Sequence, residues 1–157
     1  MKLKVKIDIS GNTRFIDEVS VLGVATENGE YKKNIFLEPK IKRRITNYAN
    51  KYEEIHTIMI YNLIKNEMKK YSLITFCHDI NKNKLKNYLR KLFKNNSYWQ
   101  ELDINKKIKI HSVKNSFVDK YVKNVRKHKE KKGFRLTLKR INKQLKIFEK
   151  KNKSRHK

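Results

Sequence analysis

The chain has 157 residues, with 41 Lys plus Arg against 15 Asp plus Glu and a formal net charge of +26. That length suits one domain with a tail, and the single cysteine, Cys77, excludes a disulfide framework or a multi-cysteine zinc site within the chain. A globule of such charge repels itself and calls for a polyanion, nucleic acid first; an anionic membrane surface and a merely solvated, Lys-rich surface are the alternatives.

The opening MKLKVKIDIS alternates charged and apolar residues, unlike a secretory leader, and no run approaches the ~18 apolar residues of a membrane span. With one thiol, this makes the cytoplasm the expected address. Leu3, Val5, Ile7 and Ile9 alternate with Lys4, Lys6 and Asp8, which predicts a first strand. Gly11 and Asn12 end it. Residues 20–26 form a second, β-branched run. Asn28-Gly29 is a hairpin signal, and residues 31–37 make the third strand before Pro39. Ile45, Ala49, Ile60, Leu63, Ile64 and Met68 mark residues 40–70 as one bent helix or two. Residues 72–77 read as a buried fourth strand. Residues 82–94 are a helix through Leu85, Tyr88, Leu89 and Leu92, and residues 95–105 are a loop or short helix around Trp99. Residues 107–113 alternate again as a fifth strand, and residues 116–130 form a helix with Phe117, Tyr121, Val122 and Val125 inward.

After Gly133, Phe134, Leu138, Ile141, Leu145 and Phe148 recur at helical spacing. From Arg126 to the end, fifteen Lys or Arg face two Glu, half of the chain's net charge. The division expected is therefore a domain over residues 1–130 and a basic amphipathic helical tail over 131–157. Lys131, Lys132, Arg135, Lys139, Arg140, Lys143 and Lys146 are the expected phosphate-binding residues of that tail. Its apolar stripe is expected to dock on the domain or on a protein partner; lying on a membrane is the third reading.

The element order, three strands and then alternating helices and strands, predicts an α/β fold. It has a mixed five-stranded sheet, a three-strand antiparallel meander plus parallel strands, with flanking helices. The RNase H-like fold is the best known that begins this way. In such a sheet strands one and four are neighbours, and their ends bring Asp8 and Asp79 together. The first long helix presents Glu54, or its neighbour Glu53, and the helix after strand five adds Asp119. Carboxylates gathered in one place repel unless a cation lies between them. Oxygen ligands suit Mg²⁺ or Mn²⁺, with room for two ions in the pattern that activates water at a phosphodiester. Plainer roles exist for each: a turn residue for Asp8, a helix cap for Asp79, a helix-dipole partner for Asp119, a solvated face for the glutamates. His78 and His111 are surface residues or proton shuttles, and Cys77 is a core residue. P-loop, dinucleotide, zinc and hydrolase-elbow motifs are missing from the sequence.

The strand running into Asp8-Ile9-Ser10-Gly11 resembles the start of an uncharacterised family of the RNase H-like superfamily, which opens with an apolar strand and Asp-Glu-Ser-Gly. Ile9 stands where that family has Glu. The Asn-Gly hairpin, Asp79 after strand four, and the segment KNSFVDKYVKNV around Asp119 are similar as well. The resemblance spans residues 1–128 and implies that Asp8, Glu54, Asp79 and Asp119 are both the metal ligands and the catalytic residues of a nuclease acting on RNA or DNA. A non-catalytic nucleic-acid-binding protein or a ribonucleoprotein subunit on the same fold is the alternative.

Overall fold

The computed structural model describes residues 2–128 and 133–154. One mixed sheet runs through it, built from β1 (Leu3–Ser10), β2 (Ser20–Ala25), β3 (Lys32–Leu37), β4 (Tyr71–Phe76), β5 (Ile108–Ile110) and β6 (Phe134–Arg135) in the order β5-β4-β1-β2-β3-β6. β1, β2 and β3 pair antiparallel; β4 lies parallel to β1, and β5 parallel to β4. The meander and the β1–β4 adjacency match the sequence reading. The sheet has six described strands rather than five, because β6 adds parallel to β3 through Ile35–Phe134 and Phe36–Arg135. A two-residue strand is too short to carry an alternating pattern.

The helices are α1 (Pro39–Lys42), α2 (Tyr52–Ile64), α3 (Lys82–Leu92), α4 (Ser97–Ile104), α5 (Phe117–His128) and α6 (Leu138–Ser154). Pro39 starts the single turn of α1, where its missing N–H costs nothing. Asn47, left-handed at φ 56°, separates it from α2, and 3-10 turns flank α2 on both sides. No helix among the described residues is long and apolar enough to cross a membrane.

Alternation along the strands divides the core. Val5, Ile7, Leu22, Val24, Ile35 and Leu37 face α2 together with Ile55, Ile58 and Met59. Val21, Ala25, Phe36 and Cys77 face the other way, onto Val118, Val122 and Val125 of α5. The residues expected to form a tail belong to the first of these cores. Leu136, Ile141, Leu145 and Phe148 are buried in it, and α6 lies on α2 and α3. Each such side chain stabilises the fold by ~1.5–3 kcal/mol. Asn62 and Gln144 exchange amide hydrogen bonds at 2.6 and 3.2 Å across the α2–α6 seam.

One basic residue is spent on architecture. Lys42 is fully buried and its Nζ donates to Phe15 O, Glu18 O and Ser20 Oγ at 2.6–2.9 Å. It therefore ties the β1–β2 connection to α1. Burial depresses its ammonium to about 8, because removing the charge from water disfavours the protonated form.

Candidate metal centre

Parity puts Asp8 on the sheet face opposite Val5 and Ile7, the face that α5 covers. Its partner across the β1–β2 ladder is Gly23. A Cβ at Gly23 would lie 2.5 Å from Val122 Cγ1, so α5 crosses the sheet where β2 has no side chain. Asp119 stands one turn before Val122, and this close approach delivers its carboxylate to Asp8, with which it shares a hydrogen bond.

β4 supplies the rest. Its ladder with β1 extends one step past the strand, through Cys77 N–H to Ile7 O at 3.0 Å. Donor atoms of Asp8, Cys77 and Asp79 all lie within 4.8 Å of one another. Asp8 and Cys77 are buried and Asp79 is exposed, so the group opens to solvent on one side. Asn81, rather than Asp79, caps α3, its side chain accepting from the N–H groups of Asn83 and Lys84. The Asp79 carboxylate is thus released from the capping role.

The electrostatics are those of crowded anions. Burial pushes the Asp8 carboxyl from 3.8 to about 7, opposed by the Ile9 N–H and reinforced by Asp119 and Asp79. Asp119 is held below the usual carboxylate range: burial alone would raise it, but the Asn115 N–H, Asp8 and Lys123 outweigh that. Of the two, Asp8 is the carboxyl that holds a proton more tightly. Burial and the two acids keep the Cys77 thiol protonated, and it donates to Asp79.

Glu54 does not join this group. It is half-buried, and burial raises its carboxyl among Lys51, Glu149, Lys91 and Glu53. Glu53 pairs with Lys84 of α3 at 3.1 Å, and His56 feels both Glu53 and Asp79. His78 and His111 are exposed at the ends of β4 and β5. Cys77 stands at the centre rather than only in the core; it follows β4 directly, beside Ile7 and two residues before Asp79, and that position is the signal that could have placed it there.

Of the expected phosphate-binding residues, Lys131 and Lys132 lie outside the described residues. Arg135 pairs with Glu38, and the Arg140 guanidinium covers the Phe134 ring at 5.0 Å. Lys139, Lys143 and Lys146 are exposed along α6.

The donor set fits a divalent ion held mainly by oxygen: the Asp8 and Asp79 carboxylates lie together with the Cys77 thiol, Asp79 open to solvent, and Asp119 reaches Asp8 from α5. No family model, curated protein or solved structure matches this chain.

Proposed function

We propose that this protein is an RNase H-like, metal-dependent nuclease of the cytoplasm that hydrolyses phosphodiester bonds in RNA or DNA. The observation that carries the reading is the meeting of Asp8 and Asp79, with Cys77, at the carboxyl ends of two adjacent parallel strands, where Asp119 of α5 also reaches Asp8, inside a chain of net charge +26. A carboxylate cluster in so cationic a protein is demanded by neither charge balance nor solubility, and a divalent ion explains it. The order of β1 to β5, a meander flanked by parallel strands, supports the same superfamily reading.

Asp8, Asp79 and Asp119 would hold Mg²⁺ or Mn²⁺, with Asp79 on the solvent side. A bound ion lowers the pKa of a coordinated water and neutralises charge at the scissile phosphate. The chain's own part is positional. Asp8 would serve as a ligand in its ionised form, Asp119 is steadied by the Asn115 N–H and by Lys123, and the Cys77 thiol donates to Asp79. Surface lysines bring the polyanion to the site.

The test is cleavage of labelled single- and double-stranded RNA and DNA by purified protein in Mg²⁺ and Mn²⁺, beside Asp8→Asn and Asp79→Asn. Each variant is expected to lose at least ~10²-fold, because even residues that only support ligands cost 10–100-fold. Unchanged cleavage in either variant would sink the mechanism. The separation of Glu54 from the other acids favours a second reading, a nucleic-acid-binding protein without catalysis, possessing three carboxylates where the superfamily uses four. Salt-sensitive binding with no cleavage in either metal decides for it.

A further inference from the structure

Beside the carboxylates the surface sinks into an open hollow of about 420 Å³, lined by Ser10, Val19, Lys123, Arg126 and Lys127. Three independent features tie this hollow to the site. Ser10 lies two residues beyond Asp8 on the same strand face. Lys123 serves both, since its Nζ is 3.1 Å from Asp119 Oδ1 while its side chain lines the hollow. Arg126 runs over the backbone of Gly11, which takes φ +80°; a Cβ there would meet Val19 O at 2.0 Å and the Arg126 Nε at 2.9 Å. The guanidinium is steadied by Glu18 at 3.3 Å.

Lys123, Arg126 and Lys127 occupy one stripe of α5, four and eight residues on from Asp119 at its limits, a reach of about 12 Å along the helix. We infer that this hollow seats a backbone phosphate of the nucleic-acid strand next to the one at the carboxylates, with Lys123, Arg126 and Lys127 as its grip and Ser10 as a hydroxyl donor. The strand then runs along α5, and α6 on the opposite side of the sheet takes no direct part. The inference rests on the nuclease reading for its substrate, but it concerns binding and is tested without turnover.

The experiment measures binding of a labelled single-stranded oligonucleotide by fluorescence anisotropy in EDTA, across a salt series. It compares the intact chain, Lys127→Ala, Arg126→Ala with Lys127→Ala, and a triple variant of α6 (Lys139→Ala, Lys143→Ala, Lys146→Ala). Lys127 is exposed, so its single variant keeps the test valid even where removal of the Arg126–Glu18 pair loosens the fold. The double variant is expected to bind at least ~10-fold more weakly, with a salt slope flatter by ~0.7 for each phosphate no longer neutralised. The single variant follows in the same direction, and the α6 variant stays within ~3-fold of the intact chain. Binding by the α5 variants equal to the intact chain, or equal losses in the α5 and α6 sets, would overturn the inference. Weakened binding in a protein that never cleaves leaves this surface standing and removes the nuclease. Cleavage with unaltered α5-variant binding does the reverse.

Discussion

Helices α5 and α6 look alike in the sequence: both are amphipathic, both strongly basic on the outer face, both late in the chain. In the fold they lie on opposite sides of one sheet and do different work. α6 buries Ile141, Leu145 and Phe148 in the larger core, is latched to α2 by the Asn62–Gln144 amide pair, and places Phe148 edge-on against Tyr88. α5 has a smaller apolar footprint of Val118, Val122 and Val125, and it carries Asp119 to Asp8 and a stripe of cations beside it. A basic face, then, does not say what a helix packs against. What separates the two is the surface each lands on, and for α5 that surface has a glycine, Gly23, beside a carboxylate.

The contrast breaks most visibly under core truncation. Leu145→Ala is expected to cost about 3 kcal/mol, within the usual range for a buried Leu, while leaving Mn²⁺ affinity of the folded protein unchanged. Denaturant melts and calorimetric Mn²⁺ titration check the two halves. Gly23→Ala is expected to do the opposite. Its methyl meets Val122 at overlap distance, so α5 must lift, at about 2 kcal/mol. Its larger consequence is weaker Mn²⁺ binding as Asp119 leaves Asp8. Reduced metal affinity in Leu145→Ala, or unchanged affinity in Gly23→Ala, would erase the distinction.

The two sides also differ in how pH loads them. Asp8, on the α5 side, is raised to about 7 from 3.8, so the folded state favours its protonated form. Its contribution is intact below 3.8 and is lost as pH rises through about 7. His56, on α2, is wholly buried with neither ring nitrogen hydrogen-bonded, and burial lowers it to about 4 from 6.5. Its neutral form is the folded one, so stability is lost as pH falls from 6.5 toward 4. In EDTA, Asp8→Asn is expected to be more stable than the intact chain by about 1–2 kcal/mol at pH 8 and by little at pH 5. His56→Leu shows the reverse order, favoured at pH 5. Mg²⁺ at pH 8 should remove the advantage of Asp8→Asn and leave that of His56→Leu untouched.

The legible parts of this fold are those with a period. The alternation of β1, the Asn-Gly hairpin and the apolar run of β4 announce the meander and its parallel neighbour, and from them the meeting of Asp8 with Asp79. Asp119 was legible because a helix following the last long-range strand must return over the sheet. Other features leave no periodic trace. β6 is two residues long. Lys42 sits in a basic run, and nothing in composition separates the one buried ammonium there from its solvated neighbours. Whether Glu53 or Glu54 faces the sheet depends on the rotation of α2, since a single residue turns a side chain by about 100°.

Cys77 gives the smallest expected effect and the finest test of the α5 side. Two roles are compatible with its position among the donor atoms: a neutral donor that orients Asp79, or a direct ligand to the ion. Its thiol is buried and kept protonated by the acids around it, which favours the donor role with a hard ion such as Mg²⁺. Cys77→Ser preserves a donor of similar reach, so Mg²⁺ affinity is expected to change by less than ~3-fold, under about 1 kcal/mol. A soft ion separates the roles. Cd²⁺ can draw the thiolate out of the thiol, and its preference over Mg²⁺ should fall in Cys77→Ser while Mg²⁺ binding holds. If Mg²⁺ affinity itself drops tenfold, sulfur is a ligand in the working site, and the centre is a mixed sulfur–oxygen one rather than a carboxylate site with a thiol beside it.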